Sequence, residues 1–175
     1  MGDVTRRMLK LGAFAALFSL FHFAYDWWPS AITAVFSGVD ESVFQHMKTG
    51  YFAWLAASAL ESLAARPPRG LRLGFAAVRL WGAFLVVYLF VSLWYLGPAL
   101  VGPMPSDAAE LALAFSSVAL GGLAALGLEA QLGKAPLSRG LELGAMAATL
   151  LALYLFARFT ATRPWIDLFE LPPPH

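Results

Sequence analysis

Two histidines and several carboxylates interrupt an otherwise apolar chain. His22 and Asp26 lie in "FHFAYDWW", and Asp40, Glu41, Ser42, His46 and Lys48 follow in "DESVFQHMK". Imidazole and carboxylate together suit zinc, iron or manganese. On a helix, His22 and Asp26 share a face at i,i+4, as do Ser42 and His46. Glu41, five positions before His46, reaches that face only if the first turn is irregular. The expected centre is therefore zinc or another divalent metal held by His22, Asp26, Glu41 and His46. Ser42, Lys48, Arg158 and Asp167 are the accessory candidates. Two other readings use the same residues. Histidines at one depth on facing helices could be axial ligands of a haem. Alternatively, the acids only stabilise a helix start and the imidazoles belong to a structural polar cluster.

The elements that must position these residues are membrane helices. The 175-residue chain is 59% hydrophobic and 13% charged, against about 25% charged in a soluble domain. Its basic residues are dispersed and its net charge is +1, so the basic patch of a nucleic-acid-binding surface is missing. It has no cysteine, which excludes disulfides, iron–sulfur clusters and thiolate zinc sites. "TRRMLKLGAFAALF" resembles an export signal, but the apolar run continues into His22 and two tryptophans without a small-residue cleavage site. It reads as a retained first helix.

About 20 apolar residues cross a bilayer as a helix. Five segments qualify, near Met8–Trp27, Glu41–Ala64, Leu73–Leu96, Asp107–Leu132 and Arg139–Thr162. Trp28-Pro29, "RPPRG" at 66–70, "GPALVGPMPS" at 97–106 and "LGKAP" at 132–136 should break them. The expected fold is an all-α polytopic membrane helix bundle over residues 1–162, with a proline-rich tail at 163–175. Arg6, Arg7, Lys10, Arg66, Arg69, Arg72, Lys134 and Arg139 fall at one side, and the opposite connections are acidic. The positive-inside rule then places the N-terminus in the cytoplasm and the C-terminus outside, in a multi-pass protein of the plasma membrane.

In this register His22 and His46 both sit roughly 8–9 Å beneath the outer boundary. Glu61 and Arg79 fall near one level at the inner side, as a pair or with Arg79 snorkelling. Arg158 approaches the outer end of the fifth span, within range of Asp26, Glu41 or Asp167. The small residues of "SSVALGGLAALG" suit close helix packing inside the chain better than a dimer face. The tail should fold back over the outer mouth, or else lie along the interface.

The segments His22-Phe23-Ala24-Tyr25-Asp26-Trp27 and Asp40-Glu41-Ser42-Val43-Phe44-Gln45-His46-Met47-Lys48 resemble motifs of a family of small bacterial and archaeal integral membrane proteins of unknown function. The family pattern is His-Phe-x-Tyr-x-Trp, then Asn-Glu-Ser-x-Trp-Glu-His-x-Lys. Its tail, with Leu-Phe and prolines, is similar to "IDLFELPPP". The resemblance implies a shared site and carries no known reaction. Asp40, Phe44 and Gln45 depart from the pattern, so no acid role falls to position 45.

Three functional classes remain open. One is a metal-dependent membrane hydrolase acting on a lipid-type substrate, with the ion acidifying a bound water, although HExxH is absent. Another is a non-enzymatic accessory or binding subunit that meets a lipid-type ligand or protein partner on its outer side. A proton path is the third, with poor stepping stones in Thr49, Gly50 and Ser58.

Overall fold

The computed structural model describes residues 2–65 and 72–171. Among them are six α-helices and no strand. These are α1 (Asp3–Trp27), α2 (Ala31–Phe36), α3 (Val43–Ala65), α4 (Arg72–Val101), α5 (Asp107–Leu132) and α6 (Arg139–Ala161), followed by a 3-10 turn at Asp167–Phe169. The expected turn at 66–70 and the last four residues of the tail lie outside the described residues.

Four helices, α1, α4, α5 and α6, are long and apolar enough to cross a membrane, which marks a multi-pass membrane protein. The sequence suggested five such helices. The fifth, α3, equals α6 in length at 23 residues, but Gln45, His46, Lys48, Thr49 and Glu61 dilute its apolar character. Position explains this. Packed between α1 and α4, α3 buries Gln45, Lys48, Thr49 and Ser58 inside protein, so its polar groups need not face lipid.

Two boundaries differ from the sequence expectation. The helix expected to end near Leu96 runs on through Pro98 to Val101. It stops at Gly102, whose φ of 88° suits glycine and whose amide returns to the Pro98 carbonyl at 2.8 Å. The connection after α1 holds a helix the apolar pattern does not reveal. α2 starts at Ser30, which forms a reciprocal capping box with Thr33.

The core is aromatic. Phe14 meets Trp54 edge to face at 5.1 Å, and Phe18, Tyr51, Val86 and Phe90 complete a plug across the bundle centre. The small residues of α5 serve this packing within the chain. A Cβ on Gly121 would stand 3.3 Å from the Val86 carbonyl oxygen of α4, and one on Gly122 would stand 2.6 Å from Leu11 of α1. Gly121 lets the α4 backbone approach closely, and Gly122 makes room for the Leu11 and Phe14 side chains, as small residues do between membrane helices.

Candidate metal centre

His22 projects from the last turns of α1 and His46 from the first turn of α3. Their rings are 4.9 Å apart between centroids. Aromatic neighbours hold both. His22 stacks on Phe18 at 6.4 Å and His46 on Phe90 at 6.2 Å.

The connecting segment completes the group. Ser37, fully buried, receives the Tyr25 amide at 3.0 Å and donates to the Phe21 carbonyl. Its hydroxyl thus bridges the two ends of the helical turn that carries His22. Asp40 accepts the Ser42 amide at 2.9 Å, which shapes the turn ahead of α3 and leaves Glu41 outside the helix. The irregular start that Glu41 requires is present. Its carboxylate lies 3.7 Å from His22 Nε2 and 3.5 Å from His46 Nε2.

One ligand atom from each of these three residues falls within 4.8 Å of the other two. Tetrahedral zinc with bonds of about 2.0–2.1 Å separates its ligand atoms by about 3.4 Å, near the two histidine–carboxylate distances, which run to different oxygens of Glu41, Oε1 for His22 and Oε2 for His46. The tautomer of His46 points the same way. Its Nδ1 lies 2.9 Å from the Ser42 carbonyl oxygen, which can only accept, so Nδ1 carries hydrogen. In the neutral ring Nε2 then turns a lone pair toward the carboxylate. A backbone carbonyl on the far nitrogen is also the usual outer partner of a metal-bound histidine. The histidine side chains are 20% and 19% exposed and Glu41 is 61% exposed, so the group opens on its Glu41 side.

The remaining candidates stand apart. Asp26 is exposed beyond His22 and is not among the three converging residues. Ser42 is buried and serves through its carbonyl. Lys48 is completely buried and turned to another face of α3, donating to the Ala34 carbonyl at 2.7 Å and the Thr160 hydroxyl at 2.9 Å. Arg158 is exposed and forms no ion pair among the described residues. The neighbouring Arg163 instead pairs with Asp40 at 2.8 Å. Asp167 lies beside the Tyr95 hydroxyl and is not among the three converging residues. The tail does fold back, but through Phe169, buried 4.6 Å from the Phe44 ring. Trp165 remains 93% exposed.

A second polar cluster occupies the other half of the bundle. Arg79 pairs with Glu61 at 2.8 Å, one of the two arrangements anticipated for them. Sequence reasoning missed Glu129, which is buried, accepts Lys10 at 2.7 Å and receives Trp54 Nε1 at 3.1 Å. Lys10 also reaches Glu61 at 2.8 Å. The available signal was a lone carboxylate one helical turn from the end of an apolar span, where Lys10 could meet it. No family model, curated protein or solved structure matches the chain.

Proposed function

We propose that His22, Glu41 and His46 hold a divalent ion, zinc by preference, on the outer side of the membrane, and that the protein is a metal-dependent hydrolase of a lipid-type substrate. The observation that carries this reading is the convergence of three ligand atoms, one from each residue, within 4.8 Å of one another, with an exposed side left open. Two histidines, one glutamate and a vacant fourth position form the donor set of several zinc hydrolases. There the ion polarises the scissile carbonyl or phosphoryl oxygen and supplies hydroxide near neutral pH. Asp26, not a direct ligand in this reading, stays within electrostatic reach of His22.

The membrane frame is part of the proposal. At about 1.5 Å per residue α3 is about 34 Å long, enough for a core of about 30 Å, so α3 serves as a fifth span sheathed by its neighbours. The charge asymmetry of the connections then puts the histidines outside. Exposed Trp27, Trp28 and Trp165 suit an aromatic belt at that interface, where an amphiphilic substrate would present its head to the open side of the ion. Both Nε2 atoms face one carboxylate rather than opposite sides of a slot, an arrangement that favours a single small ion over haem.

The test is hydrolysis of short-chain lipid esters and phosphodiesters by full-length protein in vesicles, with and without zinc. Turnover that a chelator abolishes, zinc restores and His46→Ala lacks would support the hydrolase. Zinc retained without turnover on either substrate class would leave a non-enzymatic metal-binding subunit as the better account.

A further inference from the structure

The end of the bundle opposite the histidines contains a cavity of about 560 Å³, within the roughly 300–1,000 Å³ of ligand sites. Its lower wall is the Lys10–Glu61–Glu129–Arg79 network. Its mouth carries Arg6 and Lys134, and its sides include Phe75, Val78 and Leu126. A charged floor and rim above apolar walls suit an amphiphile better than a uniformly polar solute.

Charge pairing identifies the sign of the head. Glu61 and Glu129 are engaged by Lys10, Arg79 and Trp54, and Asp3 by Arg7. Arg6 has no ion-pair partner among the described residues. Lys134 meets only the neutral Gln131. Arg79 gives Nε and Nη2 to Glu61 and Nη1 to the Phe75 carbonyl at 3.5 Å, and lies over the Phe75 ring at 3.4 Å, which leaves Arg6 and Lys134 as the open cations. Glu142 is the single carboxylate of the lining outside these pairs. Three helices also begin here: the early turns of α1, α4 and α6 supply Arg6, Gly74 and Glu142 to the lining. Their positive dipole ends favour an anion. The end of α5 faces the cavity as well, but its Glu129 carbonyl is taken by the Gly133 amide at 2.9 Å.

We propose that this cavity binds a phosphate-bearing headgroup, with Arg6 and Lys134 around the phosphate and the apolar walls against the attached chain. The site is separated from the histidines by the Phe14, Phe18, Trp54, Val86 and Phe90 plug and does not depend on the metal reading. Basic pockets between membrane helices are recognised places for such headgroups.

The experiment is native mass spectrometry and thermal melting of full-length detergent-solubilised protein. The probes are dioctanoyl phosphatidylglycerol, dioctanoyl phosphatidylcholine and inorganic phosphate. Phosphatidylglycerol should bind more tightly than phosphatidylcholine, and Arg6→Gln and Lys134→Gln should each weaken it by about fivefold. Lys134→Glu, on an exposed loop where unfolding is not at issue, should weaken it further. Inorganic phosphate stabilising the protein as strongly as the lipid, with the same sensitivity to Lys134→Glu, would support the phosphate site but assign it to a free phosphate ester. Equal binding of the two lipids with no response to phosphate would overturn the proposal, as would phosphatidylglycerol binding indifferent to all three variants.

Discussion

The rings of His22 and His46, carried by helices that the α2 connection turns back on one another, stand 4.9 Å apart with Glu41 against both Nε2 atoms. Metal binding at such a site requires neutral imidazoles, so protons compete with the ion. Zinc affinity should therefore fall as pH drops, because each protonated ring must lose its proton before it can ligate. Competition titrations with a chromophoric chelator at several pH values check the sign. Affinity unchanged or rising toward acid pH would exclude histidine ligation.

The tail gives a contrast within five residues. Phe169 is 7% exposed and Trp165 93% exposed. Phe169→Ala should cost up to about 3–5 kcal/mol, the range for emptying a phenylalanine site in a core. Trp165→Ala should stay within about 0.5 kcal/mol. Melting temperatures of the two variants in detergent decide it. Equal effects would mean that the tail merely rests on the surface.

Lys48 predicts a stability defect without a change in metal content. Lys48→Met keeps the stem but leaves the Ala34 carbonyl and Thr160 hydroxyl without their donor. An abandoned buried polar group costs about 1–3 kcal/mol. A lower melting temperature with zinc retained is the expected pair of readings. Loss of zinc at an unchanged melting temperature would instead make Lys48 a functional partner of the site.

The Lys10–Glu61–Glu129–Arg79 network should behave as a unit. Lys10→Met leaves Glu61 to Arg79 but takes the close cation from buried Glu129, and should destabilise by about 3–5 kcal/mol, the range for breaking a buried ion pair. Adding Glu129→Leu should recover part of that loss, because the second change removes the stranded charge. A double-mutant cycle by thermal melting measures the coupling. Strict additivity would contradict the geometry.

The apolar runs made the long helices legible, and Asp107–Leu132 falls where the sequence put it. The course of α4 did not, because Pro98 reads as a breaker. Pro98 takes one backbone bond out of the last turn without ending the helix, and Gly102 provides the actual stop. The polar composition of α3 could be read, but not that its lysine and glutamine face protein rather than lipid. At the candidate site, the short connection between neighbouring helices and the matched depth anticipated the meeting of His22 and His46. Spacing alone could not choose between Asp26 and Glu41. That depends on the Asp40 and Ser37 hydrogen bonds, which pull the connection across α1. Lys10 reads as a flanking charge until α5 brings Glu129 against it.

Elemental analysis of full-length protein purified without added metal, beside His22→Ala, His46→Ala and Asp26→Asn, tests the proposed centre most directly. The account predicts close to one zinc per wild-type chain, loss in both histidine variants and retention in Asp26→Asn. A correctly folded wild-type protein that stays metal-free when zinc is then supplied, or zinc that survives loss of either histidine, would contradict it.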